Sequence, residues 1–359
     1  MTSNLKESGG EALGIRLSIL DQSPVFEGET PEEAFSHTVE LAQAAERLGY
    51  ERFWVSEHHD GDKVAGSSPE VLIAYLLAKT SRIRIGSGGV MLQHYSPYKV
   101  AENFNVLASL APGRVDLGIG RAPGGLPRST RALQQGNPAA GDSLTDKLKE
   151  LSGYVYNRLS EEHPLFGLRA TPLPGQPARI HLLGASVQSA ELAAELGLPY
   201  VFALFINSDP VVAEDAFAAY HRSFNYAGGS KPQPIIALPV IVADTDAEAE
   251  SLASEQKLYR VTLESGGKAT VGSLEQAEEF GRQAGEPFTI EERLAEVTKG
   301  SKATVRHKLL EVGERYGVAE YIIITALQDF SKRVRSYELL KEAFTEAAAV
   351  HSEGTIKEV

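Results

Sequence analysis

Short runs of β-branched and aliphatic residues alternate along this chain with longer segments whose apolar positions recur at helical spacing. Eight of the short runs predict strands, over 15–22, 52–58, 83–92, 114–121, 179–186, 200–206, 234–243 and 320–326. Several lack a two-residue alternation of polarity, the pattern of strands covered on both faces in a parallel sheet. Helix starts support the phasing: Thr30-Pro31-Glu32-Glu33 offers a hydroxyl N-cap, a proline at the first helical position and a carboxylate three residues beyond the cap. Ser68-Pro69 and Ser96-Pro97 repeat the entry, and Gly49 and Gly197 stand where left-handed C-caps belong. Eight strand-helix units predict an α/β fold, a TIM (β/α)8 barrel in one domain over 15–350. The stretch 259–301 breaks the rhythm, being polar, rich in Gly and Glu, and too long for a connection between barrel elements. It predicts an insertion after the seventh strand, placed to act as a mobile lid; a helical decoration is the plainer alternative.

Composition narrows the partners. With 359 residues, 42% hydrophobic and 23% charged, the chain can bury a substantial core. Its net charge of −13 repels phosphate backbones and anionic lipid, so neither nucleic acid nor a membrane surface is expected. Cysteine is absent, which excludes disulfides, thiolate nucleophiles and cysteine-ligated metal. Residues 1–14, polar and Gly-rich, predict a disordered tail rather than a signal or an anchor. No later apolar stretch reaches a bilayer-spanning length, so a cytoplasmic location is expected.

A barrel of this kind builds its site from the C-terminal ends of its strands. The second strand runs into Ser56-Glu57-His58-His59-Asp60, a cluster suited to acid-base work or metal ligation, or else a plain surface turn. Metal is the weaker functional reading, because neighbouring side chains on a strand point to opposite faces. In the third strand, Gly86-Ser87-Gly88-Gly89 leaves room for a flat ligand against bare backbone, or marks a tight bend. The fourth ends at Arg121 beside a glycine-rich loop, a planar fork suited to phosphate. After the fifth, Ser186 and Ser189 open a helix whose free N–H groups attract an anion, unless both are ordinary capping residues.

With these motifs in view, the stretch from Leu17 to Gly125, including Glu57-His58-His59 and Gly86-Ser87-Gly88-Gly89-Val90-Met91-Leu92, resembles the bacterial luciferase-like flavin-dependent monooxygenases. Ser96-Pro97, Ala101-Glu102, Leu110-Ala111-Pro112-Gly113-Arg114 and Gly118-Ile119-Gly120-Arg121 bring it nearest to the MsnO8-like branch. The resemblance implies an enzyme that takes up FMN as FMNH2, lets O2 add to the flavin C4a position, and oxygenates a small organic substrate through the peroxyflavin. On the matching positions it implies His58 as the catalytic histidine, a non-prolyl cis peptide at Gly88-Gly89 beneath the flavin ring, and phosphate contacts from Arg121, Ser186 and Ser189. It also implies a conformation-setting role for Glu102 near the flavin, and no metal. Luciferases proper carry a reactive cysteine where Gly120 stands and a tryptophan where Leu204 stands, so light emission is not expected; Ala185 replaces a glutamate of the phosphate loop. Trp54 lies mid-strand and is expected in the core.

Three other readings compete. A deazaflavin (F420)-dependent oxidoreductase uses the same barrel, although no further basic cluster is visible for that cofactor's longer anionic tail. A flavin-binding protein without turnover would not need His58, and a metal-dependent hydrolase would use His58, His59 and Asp60. No nicotinamide-binding glycine fingerprint lies outside the barrel pattern, so a separate NAD(P)H:flavin reductase is the implied partner. Resemblance alone implies a homodimer pairing through helices near the fourth strand.

Overall fold

The computed structural model describes residues 14–136, 141–254 and 257–354. The tail predicted over 1–14 lies, Gly14 apart, outside them. Chain order runs β1 (Arg16–Asp21), α1 (Pro31–Leu48), β2 (Arg52–Val55), α2 (Pro69–Lys79), β3 (Arg84–Met91), α3 (Pro97–Leu110) and β4 (Val115–Gly120). Two helices, α4 (Pro127–Gln134) and α5 (Leu144–Val155), lead to β5 (Arg179–Gly184), α6 (Val187–Glu195), β6 (Tyr200–Ala203), α7 (Pro210–Ser223) and β7 (Pro234–Val242). Next come α8 (Asp246–Ala253), β8 (Lys257–Leu263), β9 (Lys268–Val271), α9 (Leu274–Ala284), β10 (Phe288–Leu294) and β11 (Thr298–Gly300). The last elements are α10 (Lys302–Tyr316), β12 (Glu320–Ile324) and α11 (Phe330–Gly354).

The strands stand in the order β7-β12-β1-β2-β3-β4-β5-β6, and a β6–β7 pairing closes the ring into an eight-stranded parallel barrel, the TIM fold expected. All eight predicted strands are present, most of them shorter at the C-terminal end because the chain leaves the ladder to build the mouth. Local chemistry sets the helix ends. Thr30 and Glu33 form the capping box, and Gly49 takes the left-handed C-cap. Ser68 and Ser96 precede prolines at the first helical position, yet neither side chain caps its helix. Among the described residues no helix is long and apolar enough to cross a membrane.

The insertion is neither a bare loop nor a helical decoration. It holds an antiparallel sheet, β10-β8-β9, with α9 against it, and β11 adds a parallel rung beside the end of β7. Strand β7 neighbours β6 and β12, yet the insertion that follows it reaches the loops after β2 and β4. The Arg128 N–H at the start of α4 donates to Gln283 Oε1 at 2.9 Å, and a side chain at Gly61 would lie 3.2 Å from the Gln276 amide. Contacts on the far side of the ring require the insertion to span the C-terminal mouth.

Period-two alternation divides the core. Leu17, Ile19, Phe53, Val55, Leu117 and Ile119 pack outward against helices, while Leu20, Trp54, Val201, Ile235, Ala237 and Ile322 fill the barrel. At the N-terminal pole the filling turns ionic. Arg52 donates to Asp116 at 2.9 Å and to Glu320 at 2.7 Å, Arg16 and Arg84 bind the outer faces of the same carboxylates, and the Trp54 indole N–H reaches Asp116 at 3.1 Å. Burial pushes the Asp116 carboxyl up, but Arg52, His181 and Arg84 together hold it well below the usual carboxylate range. Burial also drives His181 down to about 4, with Asp116 opposing and Arg52 assisting.

An imidazole whose folded pKa is depressed takes up its proton in the unfolded chain first, so stability falls as pH drops from the ordinary histidine value of about 6.5 towards 4. Urea unfolding at pH 7 and pH 5 is expected to show this loss, which reaches about 3 kcal/mol when complete, and His181→Asn is expected to flatten it. An equal pH slope in both proteins refutes the assignment.

Candidate active site

Strand β2 ends at Val55, so Ser56 to Asp60 leave the ladder as a loop at the mouth. The two-residue alternation nevertheless persists. The Ser56 hydroxyl meets His58 Nδ1 at 3.0 Å, and His59 Nε2 donates to Glu57 Oε1 at 2.8 Å. His58 and His59 thus face different partners, and among the described residues no group of three or more His, Asp or Glu is placed to hold a metal ion. His58 is half-buried, and its Nε2 has no partner among the described residues. Burial, helped by His59 and opposed by Glu57, lowers its pKa, which favours the neutral imidazole.

The glycines of β3 do something other than leave empty space. A side chain at Gly86 would strike Asp116 and the Trp54 indole, one at Gly88 would strike Leu20, and one at Gly89 would meet the Gly118 carbonyl at 2.7 Å. Trp54, fully buried as expected, occupies much of the volume that bare backbone offered to a ligand. Close approach of β3 to β4 consumes the rest; the pairing register shifts between Ser87 and Val90, and the Gly88-Gly89 peptide is cis. Beyond Arg84, Gly88 is the one residue of β3 that is not buried, so it is the point where this strand meets the opening.

Arg121 follows β4 directly; it is exposed and makes no ion pair among the described residues. Ser186 caps α6, taking the Ser189 N–H at 3.3 Å, while the Ser189 hydroxyl turns back to the Ser186 carbonyl at 2.7 Å and to the Tyr200 hydroxyl at 2.9 Å. Gly184 permits that turn, since a Cβ there would lie 2.1 Å from Ser189 Oγ. The Val187 and Gln188 N–H groups at the helix start have no partner among the described residues. Leu183, Phe205 and Ile324, partly exposed above the Trp54 layer, give the mouth an apolar floor.

His58, Gly88, Gly89, Arg121, Ser186 and Ser189 therefore lie at the C-terminal ends of four strands adjacent in the ring, β2, β3, β4 and β5. Glu102 is not brought to them: it sits on α3 in the helical layer and pairs with Lys99 one turn earlier at 3.1 Å. Two residues were not singled out by the sequence reading, although Glu57 stood within the cluster it named. Glu57, buried, accepts from the Met91 N–H at 3.0 Å and the Tyr95 hydroxyl at 2.7 Å in addition to His59. Period-two alternation within Glu57-His58-His59 could have paired it with His59. Lys147 of α5, also buried, donates to the carbonyls of Leu92, Gln93 and Tyr95 in the turn leaving β3. No local signal announces that contact, because its partners lie more than fifty positions away.

Comparison with known proteins identifies the family. The profile of the family described as "Luciferase-like monooxygenase" matches residues 15–323. A Bacillus subtilis (strain 168) protein named N-acetyl-S-alkylcysteine monooxygenase is 44% identical over 329 residues, covering 92% of this chain and 98% of its own. The crystal structure of apo-MsnO8 superposes with a TM-score of 0.76 at 36% identity, over 92% of this chain and 97% of that one. The oxygenating constituent of 3,6-diketocamphane monooxygenase from Pseudomonas putida, in complex with FMN, shares the fold at 19% identity and a TM-score of 0.67, over 92% and 97%. Profile and near-full-length relatives together place the chain: it belongs to the luciferase-like monooxygenase family and is an enzyme of that class.

Proposed function

We propose that this monooxygenase works in the cytoplasm with reduced FMN, supplied by a separate NAD(P)H:flavin reductase, and uses O2 to oxygenate a small organic substrate. The observation that carries the reading is the mouth arc: two N–H groups without a partner among the described residues and the Ser186 cap at the start of α6, Arg121 just beyond β4 with no ion pair among those residues, and accessible backbone at Gly88 on the strand next to that of His58. These residues fit FMN. A helix N-terminus alone contributes about 0.3–1 kcal/mol towards an anion, so the phosphate needs the Arg121 guanidinium as well. Ser189, whose hydroxyl is engaged within the cap, supports the loop that presents Ser186. Gly88 would let the ring rest on backbone while Gly89, buried against β4, holds that backbone in place, and the apolar floor would keep water from the reacting face. Reduced FMN would supply the electrons for oxygen activation, and His58, neutral at physiological pH with Nε2 unengaged, would take or return the proton.

The insertion is read as a lid, because it reaches across the mouth and meets the start of α4 through the Arg128 N–H on Gln283 and an Arg128–Glu279 ion pair at 4.0 Å. A homodimer is supported by the apolar side chains exposed along α2 and α3, Val71, Tyr75, Val106 and Leu110. Light scattering is expected to report twice the chain mass of 38.7 kDa; a monomer at micromolar concentration refutes that assembly.

Anaerobic titration with reduced FMN and with reduced F420, each followed by an oxygen pulse, tests the cofactor: FMN is expected to bind and to give an oxygen-dependent transient spectrum, and binding of F420 alone overturns the reading. Arg121→Ala is expected to weaken FMN binding about 10- to 100-fold without unfolding the barrel. His58→Ala is expected to bind FMN like the parent but to lose oxygenation about 10²-fold or more, and parental turnover refutes its role. N-acetyl-S-alkylcysteines, named in the activity of the Bacillus subtilis relative, are the first substrates to try. Gln283→Ala removes one latch of the lid, and flavin release is expected to quicken about fivefold in stopped flow.

A further inference from the structure

His58 and Arg121 sit on loops without a ladder of their own, apart from one bridge between His59 and Gly125. Something other than the sheet must fix them. Three consecutive carbonyls just beyond Arg121 are each gripped: Ala122 by the Gln93 side-chain amide, Pro123 by His94 Nε2 at 2.8 Å, and Gly124 by the His59 N–H at 2.8 Å. Two of the donors belong to the turn leaving β3 and the third to the loop after β2. That turn and that loop meet at Glu57, whose Oε1 accepts from His59 Nε2 and the Tyr95 hydroxyl and whose Oε2 accepts from the Met91 N–H.

We propose that Glu57 is the positioning residue of this site: one buried carboxylate ties the loop of His58 to the exit of β3, and through both to the loop that follows Arg121. The inference rests on the reading of His58 and Arg121 as flavin-site residues. Its physical basis is the cost of burying a carboxylate, several kcal/mol unless every oxygen is satisfied. Both oxygens act as acceptors, one donor is an imidazole able to carry the opposite charge, and the backbone N–H of Met91 can only donate. Glutamine keeps the shape but turns one oxygen into a donor, which then faces either Met91 N–H or the His59 and Tyr95 donors. Glutamine holds all three only if its amide faces His59 and Tyr95 and both switch from donor to acceptor, so the clamp as it stands is matched to a carboxylate. Lys147 braces the same turn from behind through its carbonyls, so losing Glu57 frees the loop of His58 more than the turn itself.

Charge provides a second readout. Glu57 and His59 face His58 from its own loop, while Tyr95 and His94 from the turn after β3, and Glu70 from α2, stand behind that pair. Glu57 raises the His58 pKa against the lowering by burial and by His59, so neutralising it lets the imidazole titrate at a lower pH still.

The test compares the parent with Glu57→Gln and Tyr95→Phe, using FMN fluorescence quenching for affinity, NMR titration of His58 in the flavin-free proteins, and the pH profile of reduced-FMN reoxidation by O2. Expected for Glu57→Gln are FMN binding at least about tenfold weaker, a lower His58 midpoint, and an acid limb displaced to lower pH. Tyr95→Phe, which removes one donor and leaves the carboxylate, is expected to weaken FMN binding about threefold and to move the His58 midpoint less. Parental affinity together with an unmoved His58 midpoint in Glu57→Gln overturns the proposal. If Glu57→Gln does not fold, Tyr95→Phe decides alone, and parental values there overturn it. A parent that binds no FMN defeats the flavin reading instead, while the flavin-free His58 titration still judges Glu57.

Discussion

A closed barrel has no sheet edge, and a charge buried inside the ring or beneath its mouth must find its hydrogen bonds from neighbouring strands and the loops that leave them. The two ends of this molecule answer the demand in different ways. At the N-terminal pole, Asp116 and Glu320 are saturated by Arg52, Arg84 and Arg16, with the Trp54 indole closing the set. Nothing there is open to a ligand, and the arrangement serves stability. At the C-terminal mouth, Glu57 is saturated by groups that themselves hold loops. Its satisfaction therefore spreads into the placement of the residues around the opening.

Trp54 joins the two ends. Its indole N–H anchors on Asp116, while its ring fills the space beside Gly86 and Gly88 and carries the floor on which Leu183, Phe205 and Ile324 sit. The glycines of β3 and β4 are best understood as the condition for this packing, because a Cβ at Gly118 would fall 2.1 Å from the Ser87 carbonyl oxygen. Bare backbone lets two strands and an indole come together, and what remains of it at Gly88 reaches the mouth. Two strands further along the ring lies a helix start whose own serines close the capping box but leave two N–H groups of the first turn without a partner among the described residues. Backbone donors at one end of this arc and a half-buried imidazole at the other form a frame held in place by the fold itself. The insertion after β7 extends this logic to access, since it reaches across the opening and meets the start of α4.

The eight strands, the barrel, the Thr30 capping box and the place of the insertion could be read from the sequence because each depends on periods of two or 3.6 residues, or on caps and turns, all expressed within about twenty positions. Burial of Trp54 and the position of the candidate residues towards the C-terminal ends of four strands followed from the same periods. Glu57 was visible only as one charge among several. Its partners at 91 and 95 stand more than thirty residues away, and the loop held by their neighbours Gln93 and His94 lies about as far again along the chain. Tertiary packing decides which side chains tie the exits of β2, β3 and β4 together and that Lys147 reaches the turn at 92–95, while Glu102 pairs locally on its own helix instead of joining the mouth. Local periodicity thus determined the scaffold and the face that bears the site, whereas the clamp that orders that face came from tertiary contact, because a buried charge takes whichever donors closure brings within hydrogen-bond reach.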